Sequence, residues 1–187
     1  MDGVSARSRE IVATARELLE RDGADGLSMR RIADQLGIRA PSLYKHVAGK
    51  QELENALISS GFEELAARFE QVRESAPGER LRGLGRAYRA FAHDHPHLYR
   101  LMTERPLDRP GLRPGVEDAA GAPIVAAVGG DADLARAAFA FAHGMSILEL
   151  NDRFPPGADV DAAWERGLLA LTTDASGRGK PVRGEPG

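Results

Sequence analysis

The chain has 187 residues, 42% of them hydrophobic and 28% charged, with a formal net charge of −3, so it can bury one large or two small domains and is too mixed for a membrane protein. No apolar run nears the ~18 residues of a spanning helix, and MDGVSARSRE carries no apolar leader core, so a cytoplasmic protein without a membrane partner is expected. The lack of cysteine excludes disulfides, thiolate metal sites and cysteine nucleophiles.

Residues 1–6 read as a short flexible arm. Ile11, Val12, Ala15, Leu18 and Leu19 form an apolar stripe that predicts a first helix over residues 7–22, and Gly23 and Gly26 bracket its exit. Ser28 is a candidate N-cap for the next helix. Leu27 and Ile32 flank it at the spacing of a hydrophobic staple. Met29, Ile32, Ala33 and Leu36 share one face, and Gly37 follows where a left-handed C-terminal turn favours glycine. Pro41 suits the first turn of a third, very short helix over residues 40–46. Leu43 and Val47 anchor that helix, while Ser42, Tyr44, Lys45 and His46 lie off the anchored face. Between Gly26 and Lys50 stand Arg30, Arg31, Arg39, Lys45 and Lys50 against Asp34 alone, a local charge of +4. Such an asymmetry on an acidic chain is the footprint of phosphate binding.

A fourth helix is predicted over residues 50–74, with Leu53, Leu57, Ile58, Phe62, Leu65, Ala66 and Phe69 on its buried side. Ser75-Ala76-Pro77-Gly78 marks a domain boundary. Further helices are expected over residues 79–93, 97–104, 116–128, 133–151 and up to 172, with a Pro/Gly/Arg-rich loop at 105–115. Asp131 or Asp133 caps one of these, and Asp159 or Asp161 the last. From Asp174 the chain is Gly, Pro and charge, and disorder is expected.

The run Gly26-Leu27-Ser28-Met29-Arg30-Arg31-Ile32-Ala33, continued by Leu36-Gly37-Ile38-Arg39-Ala40-Pro41-Ser42-Leu43-Tyr44-Lys45-His46-Val47 and Lys50, resembles the DNA-binding domain of the TetR family of transcriptional regulators. Arg39 departs from it where Ser or Thr is common, and Val47 where Phe is usual. The resemblance implies an all-α protein of about nine helices. A helix-turn-helix at 7–49 would be joined by a connecting helix at 50–74 to an effector-binding and dimerisation domain at 75–173. It implies backbone contacts from Tyr44, His46 and Lys50, joined by Ser28 and Arg30, while Arg39, Ala40, Pro41, Ser42 and Lys45 lie where bases can be reached. The partners implied are a double-stranded operator, a second copy of the chain and a small-molecule effector. Phe141-Ala142-His143-Gly144-Met145, Leu148-Glu149-Leu150-Asn151 and Arg153-Phe154 resemble one group of the family's C-terminal domains, whose last two long helices pair across a two-fold axis.

Three further groups carry expectations. Phe62, Phe69, Tyr88, Phe91, Met102, Phe141, His143, Met145 and Glu149 are candidates for an effector pocket, against the alternative that each is plain core or a paired structural group. Ala138, Ala142, Trp164, Leu168 and Leu171 are candidates for the dimer face. His93, His95 and His97 can be read as a metal site or as a helix terminus; Pro96 between them favours the terminus. No catalytic residue, metal or cofactor is expected. The rival readings are a DNA-binding protein without a ligand, controlled by a partner or architectural, and a histidine-cluster metal enzyme.

Overall fold

The computed structural model describes residues 6–73 and 76–177. Among them the chain forms nine α-helices and one 3-10 turn, and no strand. The all-α class read from the 3.6-residue periodicity is the observed one. No described helix is long and apolar enough to cross a membrane. The N-terminal arm at 1–5 and the tail at 178–187 lie outside the described residues.

The helices assemble into two units that do not follow chain order. Unit 1 runs to Glu64 and returns for Asp94–Glu117; unit 2 holds Leu65–His93 and the chain from Asp118. The contiguous division that the resemblance implies, at 7–49, 50–74 and 75–173, is a different partition from these two packing units.

In unit 1, α1 (Ala6–Gly26) buries Ile11, Leu18 and Leu19. Its helical path breaks at Gly23, whose φ of 72° an L side chain rarely adopts. The short helices α2 (Met29–Gln35) and α3 (Ala40–Leu43) follow. The third helix is shorter than the predicted 40–46. After Leu43 the chain tightens, with the N–H of His46 bonding the Leu43 carbonyl at 2.9 Å, and residues 44–46 form a turn. Helix α4 (Lys50–Glu70) enters unit 2 at Leu65 and stops short of residue 74, just past its last buried residue, Phe69. Helix α6 (Pro96–Thr103) returns to unit 1 and buries Leu98, Tyr99, Leu101 and Met102. It leads into the 3-10 turn at Arg109–Gly111, inside the expected loop.

Unit 2 takes the end of α4, α5 (Pro77–Asp94), most of α7 (Val116–Ala127), α8 (Ala132–Leu150) and α9 (Val160–Gly177). Asp131 caps α8, accepting from the N–H groups of Asp133 and Leu134, and Asp159 accepts from Ala162 at the start of α9. Helix α9 continues through residue 177, so the disorder expected from 174 does not begin there. Extending a formed helix costs far less than nucleating one.

Gly167 lets α9 lie against the Phe141 ring: a Cβ there would collide with ring carbons. Gly121 on α7 faces open space. Gly167→Ala is therefore expected to destabilise the protein by about 1–3 kcal/mol through overpacking, whereas Gly121→Ala should stabilise it by up to ~1 kcal/mol through helix propensity. Urea denaturation of the two variants beside the parent reads both signs.

Candidate functional site

The helix-turn-helix is built from the cap outward. The Ser28 hydroxyl oxygen accepts from the Arg31 N–H at 3.3 Å, so Ser28 is the N-cap of α2. Leu27 and Ile32 on either side are buried as the staple requires. Gly37 adopts φ 64°, the left-handed turn that ends α2. Pro41 sits in the first turn of α3, and Arg39 at its N-cap makes no side-chain cap bond. Leu43 is fully buried and Val47 nearly so.

With those two anchors inward, the other side chains are left at the surface. Tyr44 exposes 53% of its area, large for an aromatic residue. Arg30, Arg39, Pro41, Lys45, His46 and Lys50 are exposed, and Ser28, Ala40 and Ser42 are half-buried. All ten DNA-contact candidates thus reach solvent on one short stretch. The cations differ in their ties. Arg31 is held by Asp22 of α1 and by the Gly26 carbonyl at 3.0 Å, so it joins α1 to α2 and contributes less to the outer face than its charge suggests. Arg30 lies 4.0 Å from Asp34, and Lys50 3.6 Å from Glu54.

The effector candidates are not brought together. Phe69 and Tyr88 line a small, partly open pocket in unit 2, along with Leu84 of α5 and Ile124 of α7. Ala138, Phe139 and Ala142 of α8 and Leu168 of α9 close it. The lining is apolar, with room for little more than a water-sized group. Phe62 and Met102 belong to unit 1, and Met102 packs against Gly61. Phe91 is core under the Arg68 guanidinium, 5.4 Å from its ring centroid. Phe141 packs edge-on to Trp164, Met145 is buried, and His143 stacks on Phe139.

Glu149 is a structural group. Its Oε2 accepts two hydrogen bonds from Arg89, at 2.9 and 2.6 Å, and its Oε1 one from Trp164 Nε1 at 2.6 Å. Arg89 also donates to Asp161 at 2.6 Å. Burial would lower the Arg89 pKa, but the bonds to Glu149 and then Asp161 raise it above its ordinary value. The network joins α5, α8 and α9.

Of the dimer candidates, Ala138, Ala142, Trp164 and Leu168 are buried within the single chain, and Leu171 is half-buried. The buried four pack inside unit 2. Periodicity alone does not tell an internal face from an external one. The histidines also diverge: His93 lies 3.5 Å from Glu149, His95 2.7 Å from Glu64, and the His97 ring beside Gly23. No group of three potential metal-binding side chains occurs among the described residues.

Residues 11–57 match the profile of the bacterial regulatory proteins of the tetR family, and residues 81–171 that of the tetracycline-repressor-like C-terminal domain. A helix-turn-helix-type transcriptional regulator of Mycobacterium tuberculosis, itself uncharacterised, is 33% identical over 88% of this chain and 79% of its own length. The chain belongs to the TetR family. It is a helix-turn-helix transcriptional regulator, not an enzyme. The transcriptional repressor KstR2 of M. tuberculosis is 34% identical over 51% of the chain, which spans about half (49%) of that relative. A solved structure from Rhodococcus sp. RHA1, of a protein of unknown function, superposes with a TM-score of 0.74 at 30% identity, covering 91% of this chain and 95% of the other.

The tie between α1 and α2 makes a pH prediction. Its hydrogen bond with Arg21, above all, holds the Asp22 carboxyl below the usual range; desolvation opposes this, and Arg31 adds to it. A carboxyl whose pKa is depressed in the folded state adds stability at neutral pH and loses it as the pH falls through that pKa. The parent should resist urea better than Asp22→Asn at neutral pH, with the gap closing as the pH falls below ~3.9, the ordinary value for aspartate. A gap independent of pH would contradict the assignment.

Proposed function

We propose that this TetR-family protein is a homodimeric repressor that leaves a near-palindromic operator when a small molecule binds unit 2. The observation that carries the DNA part is the exposure of Tyr44, Lys45 and His46 in the turn that follows α3, held between the buried Leu43 and Val47. In this reading Tyr44, His46 and Lys50, with Ser28 and Arg30, hold phosphates. Arg39, Ala40, Pro41, Ser42 and Lys45 face base edges, where Lys45 can donate to guanine O6 or N7. Two such helices in a two-fold dimer would enter major grooves about 34–36 Å apart.

The exposed apolar residues of α8 and α9 support the dimer. Ala137, Ala140 and Leu148 are exposed in one line on α8, a Cβ on Gly144 would meet nothing, and Leu169 exposes 49% on α9. The candidates for a two-fold contact thus move from the buried alanines to this outer row. The narrow apolar pocket supports release by a ligand in a specific way. A molecule larger than the free space binds only a widened unit 2, and that differential affinity is what shifts a population. Coupling of ~1–3 kcal/mol would change operator affinity by about 5- to 150-fold. The narrowness also favours one second reading, a regulator governed by a protein partner. A thermal-shift screen of small apolar compounds separates the two: a stabilising compound that also releases operator DNA supports the ligand reading, and a screen without one supports the other.

Selection of bound duplexes from a random pool should return near-palindromes. Lys45→Ala should relax the preference at one base pair by ~1–3 kcal/mol. Lys50→Ala should weaken binding evenly across sequences and make the salt slope shallower by about two, one for each protomer. A selected pool without two-fold symmetry would overturn the dimeric reading.

A further inference from the structure

Helix α6 ends at Thr103, and the segment after it belongs to unit 1 together with the helix-turn-helix. This segment carries Arg105, Arg109 and Arg113. Two of them are committed. Arg109 donates to both Glu117 oxygens at 2.9 Å, and Arg113 to both Glu63 oxygens at 2.7 Å. These are forked, charge-assisted pairs. Arg105 differs: its side chain is 58% exposed, and its tie is a 3.6 Å approach to Glu54 Oε1.

That oxygen is unusual. Glu54 is 7% exposed, its Oε1 is buried, and it has no hydrogen-bond partner. Lys50 Nζ also lies 3.6 Å from it. Two cations from separate segments therefore converge on one buried carboxylate oxygen, neither within hydrogen-bonding distance. Their charged nitrogens are at most twice 3.6 Å, or about 7.2 Å, apart. One carboxylate neutralises one cation, so Glu54 by itself leaves one of the two uncompensated, while Glu52 in the same turn accepts from the Ala48 N–H. A buried carboxylate needs one nearby cation and here has two, so either can turn to an external anion while the other stays.

We propose that Arg105 is a DNA-contacting residue: it holds a backbone phosphate beside the one held by Lys50, with Glu54 as the carboxylate that stations both. The inference rests on the DNA-binding reading of the helix-turn-helix. It adds to that surface a residue from beyond α6, far outside the motif in sequence. The partner is duplex DNA, recognised through its phosphates and not its bases.

Non-specific binding tests this without knowledge of the operator, since it is driven by phosphate neutralisation. The full chain is titrated against a fluorescein-labelled duplex of arbitrary sequence, read by anisotropy, across about 50–200 mM salt. A homodimer carries two copies of Arg105, so Arg105→Ala removes two phosphate contacts and should make the slope of log affinity against log salt shallower by ~1.8; parent affinity then falls about 12-fold more than that of Arg105→Ala over this range. Arg105→Lys should restore most of the slope. Arg109→Ala, which lowers net charge equally but removes a paired arginine, should keep the parent slope. An Arg105→Ala slope equal to the parent's, whatever the absolute affinity, overturns the proposal, because a merely structural role shifts affinity equally at every salt. An Arg109→Ala slope as shallow as that of Arg105→Ala overturns it too, by showing that net charge alone sets the slope. A parent that binds the duplex without a steep slope overturns the DNA-binding reading itself. Circular dichroism of the variants separates loss of contact from loss of fold.

Discussion

A one-turn helix cannot hold itself in water, and the recognition element of this protein is one turn long. α3 spans Ala40–Leu43, far below the ~12–15 residues at which isolated helices become marginally stable. Its existence depends on Leu43, fully buried in unit 1, with Val47 four residues on. Everything outward-facing on the motif follows from that anchoring. Once Leu43 points inward, Tyr44, Lys45 and His46 are left at the surface, and Pro41 costs no backbone hydrogen bond. Local geometry supplies the rest: the Ser28 cap starts α2, and the left-handed Gly37 ends it and turns the chain into α3.

Charge within unit 1 is allotted before it reaches DNA. Arg31 is bound to α1 through Asp22, and Arg16 pairs with Glu20 at 3.1 Å and Glu64 at 3.2 Å. His95 joins the same two carboxylates from the start of α6. Such pairs on a half-buried surface set register more than they add stability. What they leave is informative. Arg39 and Lys45 stay exposed on the turns before and after α3, and Lys50 and Arg105 both approach the Glu54 carboxylate. The formal +4 of the motif counts cations, whereas the field a phosphate would meet depends on which of them lack a closer partner.

The two units interleave along the chain, which crosses between them within α4, at the end of α5 and within α7. A change in unit 2 therefore has three covalent routes into the unit that carries the helix-turn-helix. In unit 2 the apolar pocket and the Arg89–Glu149–Trp164 network occupy different ground. The network pairs Glu149 with Arg89 and Trp164 and fixes α5 against α8 and α9. The pocket is lined by aromatic, aliphatic and small side chains without a charged group among them.

Short-range physics made much of this legible in the sequence. The cap at Ser28, the turn at Gly37, the anchors Leu43 and Val47 and the exposed face of α3 are set by residues within four or five positions of one another, and each stands where the spacing puts it. The same holds for the helix count and the all-α class. What the sequence could not determine was which faces meet. An alanine row on α8 fits an internal contact or a dimer equally well by periodicity, and only packing put Ala138 and Ala142 inside and left Ala137 and Ala140 out. Glu149 read as a ligand contact or a paired group until Arg89, sixty positions away in the chain, closed on it. Arg105 looked like loop composition until Glu54 proved to lie beside both it and Lys50. Local sequence determined the motif because caps, turns and stripes are decided by neighbours in the chain; tertiary structure decided the pocket, the exposed faces and the stationing of cations, because those depend on pairs that only folding brings together.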